Sequence, residues 1–468
     1  MTTSDCCAPA AKANGAYDLA VIGAGSAGFS AAIAAAELGA NVALIGHGTI
    51  GGSCVNVGCV PSKTMIRATE MLHHAQAASR FAGIRAKGQL ADWRSVVRQK
   101  DELVASLRQA KYIDLLPSYN TVAYREGQAR MTGEGVTIDG DPVKAGKIVV
   151  ATGASAALPS IPGIEAVRYL TSTTALELDQ LPKSLLVMGG GYIGCELAQM
   201  FSRAGVKVTI ATRRRLLPDA EPEISEALTE YFLREGIVLY DGLSYREIRQ
   251  TAQGVALSAI VDGRAETIVA DQLLVATGRR PNTEGLDLAE SGIELLANGG
   301  IKVDDRMRTS KLGVYAAGDV TGRDQFVYMA AYGARIAAEN ALNGNSKRYD
   351  ATAMPAVVFT DPQVASVGLT AAAAQRQGIR VKTSTLRLDS LPRALAARDT
   401  RGLIKLVGAH ILAPEGADSI QTAALAIRCG LTVGELAETI FPYLTTVEGL
   451  KLAAQIFSKD VAKLSCCA

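Results

Sequence analysis

The sequence predicts an α/β protein with two Rossmann-like dinucleotide-binding domains and a C-terminal α+β domain that serves as an interface. Three observations carry this. A strand, a glycine-rich turn and a helix occur in that order twice, beginning at Tyr17 and again at Ser184. Each copy is followed downstream by an apolar strand that ends in Ala-Thr-Gly, closing at Gly153 and at Gly278. From about Tyr349 the texture changes to alternating strands and alanine-rich helices with no phosphate loop.

The first copy runs from a strand at Tyr17 to Ile22 through Gly23-Ala24-Gly25-Ser26-Ala27-Gly28 into a helix reaching Leu38, then a strand from Asn41 to Ile45. The second has a strand at Ser184 to Val187, the turn Gly189-Gly190-Gly191-Tyr192-Ile193-Gly194, a helix to Ala204 and a strand at Lys207 to Ala211. In such a loop, Gly23 and Gly189 make the tight turn, Gly25 and Gly191 let a pyrophosphate approach the backbone, and Gly28 and Gly194 let the helix pack on the strand. One such motif is weak evidence. Two, each inside its own βαβ setting, imply two nucleotide cofactors in two domains. Further on, Gly313 to Asp319 reads as a strand ending in small residues and an acid, where the Asp319 carboxylate can accept hydrogen bonds from ligand hydroxyls.

Bulk properties agree. A chain of 468 residues exceeds what one hydrophobic core sustains, so about three domains are predicted. With 48 basic and 46 acidic side chains the net charge is only +2, which offers no broad field for nucleic acid or an anionic membrane. The first residues lack the basic-then-apolar layout of a secretory signal, and no apolar run reaches membrane-spanning length, so a cytoplasmic protein without stable membrane association is expected. Eight cysteines are too few for a secreted disulfide framework and read instead as redox or metal chemistry. Of these, Cys195 and Cys429 stand alone and read as small buried apolar residues.

The central chemistry is predicted in Gly51-Gly52-Ser53-Cys54-Val55-Asn56-Val57-Gly58-Cys59-Val60-Pro61-Ser62-Lys63, which runs into a helical pattern from Lys63 to Ala78. Cysteines at this spacing beside a helix start can face each other, and helix amides plus a nearby lysine favour the thiolate. Half of a zinc site would need further ligands at matched spacing. The adjacent His73 and His74 are expected on different helix faces, as surface or packing residues.

The second nucleotide is predicted to be NADPH. After the second βαβ strand the chain reads Ala211-Thr212-Arg213-Arg214-Arg215, with no acid until Asp219. A carboxylate there would hold ribose hydroxyls, whereas a cation neutralises an additional phosphate. Arg213 is the principal candidate, helped by a neighbour.

From about Tyr17 onward the chain resembles the flavin disulfide reductase family, and the segment Gly51 to Lys63 is highly specific to it. The resemblance implies FAD as the first nucleotide. It divides the chain into a flexible tail (1–16), an FAD-binding domain in two parts (17–165 and 281–348), an NADPH-binding domain (166–280) and a dimerisation domain with a cysteine tail (349–468). It also implies that Cys54 is the outer, exchanging thiol and Cys59 the one touching the flavin, with Lys63 near the reactive flavin nitrogen and paired to Glu196. Gly28, Gly48, Ser53, Ala129, Asp319 and Val327 match positions that contact FAD.

Two departures refine this. Members that reduce disulfides carry a histidine, held by a glutamate, near the C-terminus to protonate the leaving thiolate. Here the stretch Thr439 to Glu448 has Phe441 at that place. The end of the chain instead carries Cys466-Cys467, two soft ligands suited to a soft metal ion. The resemblance then points to the metal-reducing branch of the family, whose tail also ends in a cysteine pair and whose site includes tyrosines matching Tyr112 and Tyr443.

The expected reaction is NADPH-dependent reduction of Hg(II), delivered on low-molecular-weight thiols and held by Cys54, Cys59, Cys466 and Cys467. A homodimer is implied, with the tail of one subunit serving the other's flavin site. The alternative is a reductase of a small or protein disulfide; a protein that only sequesters soft metals would leave two nucleotide loops without purpose. The second departure is at Gly46, where relatives place a glutamate that binds the adenosine ribose. Family members with an additional N-terminal metal-binding domain need more residues than precede Tyr17. Cys6 and Cys7 could be a remnant collector.

Overall fold

The computed structural model describes residues 16–460, apart from residue 134. The cysteines at 6, 7, 466 and 467 lie outside the described residues. The chain forms two compact units, one comprising Met1–Ser62, Arg98–Ala157 and Arg279–Asp350, the other Lys63–Val97, Leu158–Gly278 and Ala351–Ala468.

In the first unit, β1 (Tyr17–Ile22) and β2 (Val42–Gly46) flank α1 (Ser26–Glu37). They belong to a five-stranded parallel sheet that also contains Ala145–Val150, Val314–Ala316 and β3 (Val122–Glu126), with β2 lying between β1 and β3. The inner strands are buried on both faces, which explains their continuous apolar runs. The helix α1 is a run of alanines with one buried Phe29, and it packs against the equally alanine-rich helix Val327–Asn343. Small side chains let the two helices meet closely on one face of the sheet.

Glycine fixes the loop between β1 and α1. A Cβ on Gly23 would run into the carbonyl of Ala151, and one on Gly28 into the carbonyl of Gly23. The second unit repeats the arrangement in a four-stranded parallel sheet that includes Ser184–Met188, Lys207–Ala211 and Gln272–Val275, with the helix Tyr192–Arg203. There a Cβ on Gly189 would strike Ala276, and one on Gly194 would strike Gly189. The two loops therefore obey one steric rule.

The second unit continues into an antiparallel three-stranded sheet (Ser244–Thr251, Gly254–Val261, Arg264–Ala270) and a five-stranded antiparallel sheet spanning Ala356–Val358 to Ala409–Ala413. The helices Gly416–Arg428 and Glu448–Gln455 bury their apolar faces on the last sheet. Phe201 and Phe232 are fully buried in another core of this unit, and each contributes about 2–3 kcal/mol by burial. The fold class is the predicted one. No described helix is long and apolar enough to cross a membrane.

Two elements differ from the sequence expectation. The helix expected from Lys63 begins at Cys59 and ends at Ala77, because Pro61 falls in its first turn, where no amide hydrogen is needed. His73 and His74, although adjacent, both reach the same carboxylate, at 3.9 and 3.7 Å from Asp361 Oδ2. That carboxylate also pairs with Arg203 and Arg401 at 3.0 Å each. Glu70 lies beside His74, and its own carboxylate pairs with Arg67 at 2.6 Å. The acids here are already matched by guanidinium groups, so the cluster is an ion-pair network.

Burial alone would raise the Asp361 carboxyl, but the His74 hydrogen bond and the guanidinium groups of Arg401 and Arg203 hold it far below the usual carboxylate range. Its contribution to stability is therefore complete above the unfolded pKa of about 4 and is lost as the pH falls toward the depressed folded value. Asp361→Asn removes one of two carboxylates from each guanidinium, Arg203 keeping Glu235 and Arg401 keeping Asp399, and a loss of about 1–3 kcal/mol is expected. The measurement is the onset of thermal unfolding across pH, where the variant should show a weaker acid dependence than the parent protein.

Candidate active site

In the first unit the sequence loop from Gly51 folds back onto the phosphate loop. The Gly51 amide donates to Ala24 O at 2.9 Å, and a Cβ on Gly52 would stand 2.6 Å from the Gly25 Cα. Both glycines have positive φ, at 96° and 66°, so only glycine makes this turn without strain. A short helix, α2 (Gly52–Asn56), then carries Ser53 and Cys54. Asn56 ties the loop down, donating to Ile50 O and Gly52 O at 2.9 and 2.8 Å while Arg108 donates to its Oδ1 at 3.1 Å. Cys59 opens the helix α3 (Cys59–Ala77), whose N-terminal amides favour negative charge on its sulfur. Cys54 is half-buried and Cys59 exposed.

Tyr112 borders this pair. It lies in a single π-helical turn, Gln109–Ile113, an irregularity frequent at functional sites. Its ring meets Phe29 edge-on with centroids 4.8 Å apart, and its hydroxyl lies 3.3 Å from Ser26 Oγ. Burial pushes the phenol pKa up, the Ser26 hydrogen bond opposes this, and negative charge on Cys54 and Cys59 would raise it further.

Asp319 follows the strand Val314–Ala316, and Arg279 Nε approaches its carboxylate at 3.6 Å while another guanidinium nitrogen donates to Ala154 O. Burial raises the Asp319 carboxyl above its usual range, and Arg279 partly offsets this. Gly48 and Gly153 both have positive φ. Ala129 begins a short strand in the same unit, and Val327 begins the helix packed on α1.

In the second unit Lys63 Nζ is 2.6 Å from Glu196 Oε2 and 4.9 Å from the ring centre of Phe359, whose amide donates to the other Glu196 oxygen at 2.9 Å. The lysine is thereby held in one direction by a buried acid. The neighbouring Cys195 is fully buried, and burial pushes its thiol pKa well above the ordinary value.

The three arginines after Ala211 have distinct environments. Arg215 donates to Pro218 O and Ala220 O at 3.2 and 2.7 Å, so it closes its own loop. Arg214 faces Asp219 at 3.9 Å, both side chains being largely exposed. Arg213 has no ion pair among the described residues, and its charge falls on Tyr245, which donates to Ala211 O at 2.8 Å and has its pKa raised by burial to about 12. Gly191 leaves open space above the helix start, and Gly278 has φ 129°. A loop of this shape with an unspent cation at its rim fits a phosphorylated dinucleotide. The sequence reading did not include Tyr245, which lies 34 residues from Ala211 with no local signal of its role.

Phe441 packs against the apolar core of the C-terminal sheet. Glu448, buried nearby, accepts from the Leu444 amide at 3.1 Å. The chain at this position thus offers a ring and a satisfied carboxylate in place of an acid–base pair. Tyr443 is 47% exposed and Ile440 is 94% exposed, so this stretch presents apolar surface.

A family model described as pyridine nucleotide-disulphide oxidoreductase matches residues 17–338, and the corresponding dimerisation domain matches residues 354–454. A mercuric reductase of Lysinibacillus sphaericus is 46% identical over 462 residues, covering 97% of this chain and 84% of that protein. One from Streptomyces lividans is 46% identical over 475 residues, covering 98% and 99%. Among solved structures, the Cu(II) complex of the HOCl-induced flavoprotein disulfide reductase RclA from Escherichia coli superimposes with a TM-score of 0.83 at 28% identity, over 94% of this chain and 99% of that one. LpdA from Mycobacterium tuberculosis gives 0.82 at 27%, over 94% and 100%.

The contrast between buried and accessible sulfur is directly measurable. Cys195 is buried as the sequence suggests but Cys429 is exposed, so alkylation of the native protein followed by peptide mapping should modify Cys429 readily and leave Cys195 untouched until the protein is unfolded.

Proposed function

The chain belongs to the pyridine nucleotide-disulphide oxidoreductase family, and from that premise we propose that it is an NADPH-dependent flavoenzyme that reduces thiol-bound Hg(II) to Hg(0). What carries the reading is Phe441, a ring packed on a core where a disulfide reductase needs a proton donor. A metal ion requires two electrons and no proton, so the loss of that acid is tolerated by one substrate class and not by the other. The solved neighbours include a flavoprotein disulfide reductase at 28% identity, a weaker match to the alternative than the 46% shared with the mercuric reductases.

FAD, reduced by NADPH, supplies the electron pair when bound. Gly23, Gly25 and Gly28, with Gly48, Ser53, Ala129, Gly153, Asp319 and Val327, would hold it. Gly189, Gly191, Gly194, Gly278 and Arg213 would hold NADPH, the guanidinium facing the additional phosphate. Lys63, fixed by Glu196, provides a cation beside the redox segment.

The substrate path uses sulfur throughout. Hg(II) bearing two small thiolates exchanges them one at a time for Cys466 and Cys467, then for Cys54 and Cys59, so that each Hg–S bond formed replaces one broken. Two electrons then convert the ion to Hg(0), which both cysteine thiolates release. Tyr112 and Tyr443 flank the pair in this scheme and narrow the approach to it. The enzyme works in the cytosol as a homodimer, the tail of one subunit serving the cysteine pair of the other. Support for the dimer comes from the matched dimerisation domain and the exposed apolar side chains of Ile440, Tyr443 and Leu444.

Mercury-dependent NADPH oxidation in excess thiol, with glutathione disulfide and lipoamide assayed alongside, tests the whole reading; turnover of a disulfide in preference to Hg(II) would overturn it. Cys59→Ser should lower the mercury-dependent rate by about three orders of magnitude, the loss of an indispensable group. Arg213→Ala should raise the KM for NADPH by about ten- to a hundredfold, the worth of a charged hydrogen bond, and leave that for NADH unchanged. Equal effects on both nucleotides would remove Arg213 from the phosphate site.

A further inference from the structure

Gly46 ends β2, at the place in a βαβ unit where a carboxylate reads the ribose of a bound nucleotide. Its φ is not in the left-handed region, so backbone conformation does not explain the glycine. The neighbouring strand does. In the parallel register of β2 and β3, Leu44 pairs with Tyr124 and Gly46 with Glu126. The Tyr124 ring leans over Gly46, where a Cβ would stand 2.6 Å from the phenol oxygen, 2.9 Å from Cε2 and 2.8 Å from the Cβ of Ala24 in the phosphate loop. The hydroxyl thus occupies the space into which a side chain at position 46 would grow, at the rim of the nucleotide loop.

The rest of the tyrosine is well anchored. Its ring packs against the same core as α1. Its hydroxyl makes no hydrogen bond with a described residue, and burial, followed by the charge of Glu126, pushes its pKa up. A protonated phenol at this position can donate to, or accept from, a ribose hydroxyl.

We propose that the Tyr124 hydroxyl takes over the task of the missing carboxylate and holds a ribose hydroxyl of the FAD adenosine. Gly46 is then the consequence of Tyr124, since no larger residue fits beneath the phenol. A neutral group replaces an ionised one, and recognition of the ribose at this point carries no charge. The proposal rests on reading the first unit as the FAD-binding domain.

The test is the dissociation constant of the apoprotein for FAD, followed by quenching of flavin fluorescence, together with FAD analogues lacking the adenosine 2′ or 3′ hydroxyl. Binding of FAD by the parent apoprotein checks the underlying reading, and failure there would sink that reading first. Given binding, Tyr124→Phe should weaken FAD about three- to tenfold, the worth of one neutral hydrogen bond, yet bind at least one deoxy analogue as well as the parent does. Glu126→Gln should stay within about twofold of the parent, since the neighbouring acid is assigned no contact. Unchanged FAD affinity in Tyr124→Phe, equal weakening for FAD and both analogues, or an effect confined to Glu126→Gln would each overturn the proposal.

Discussion

The redox segment is positioned by a contact between two stretches of bare backbone. Because Gly25 and Gly52 both lack a side chain, the phosphate loop and the cysteine loop approach to within a distance that one methyl group would forbid, and the Gly51 amide seals the contact on Ala24. The cysteine pair therefore inherits its location from the dinucleotide loop. Tyr112, Asn56 and Arg108 then restrict how far the segment can move. Any cofactor seated on that loop is placed by the same backbone that places the sulfurs.

Charge in the second unit is sorted by what each cation is bonded to. Arg203 is committed to Glu235 and Asp361, Arg401 to Asp399 and Asp361, Arg215 to carbonyls of its own loop, and Lys63 to Glu196. Arg213 is left over, in a position set by the end of its strand and by Tyr245. In the proposed scheme Arg213 is the cation left for the additional phosphate: Arg215 closes its own loop, and Arg214 faces Asp219 at 3.9 Å. In the C-terminal domain the same economy puts Phe441 against the core and Glu448 onto a backbone amide.

Local sequence made the main architecture legible. The two glycine loops and their strands stand within a residue or so of where periodicity puts them, because Gly23, Gly28, Gly189 and Gly194 are each demanded by a backbone collision. Pairs distant in sequence were not readable in that way. Nothing near Gly46 announces Tyr124, which reaches it through the register of a strand 78 residues later in the chain, and nothing near Arg213 announces Tyr245. His73 and His74 defeated a simple helix-face argument because long side chains from adjacent positions can converge on one acceptor. The Lys63–Glu196 pairing could be expected only from the family resemblance, since 133 residues separate the two.

The packing of Phe441 bears on how such a protein could change its substrate over generations. An imidazole set in the same place would lie partly against hydrocarbon, while the nearby glutamate already accepts from the Leu444 amide. Proton-transfer chemistry at this position would thus call for a change in local packing as well as in residue 441 itself. Substrate choice in this reading is bound up with how the C-terminal domain packs as well as with the sulfur atoms.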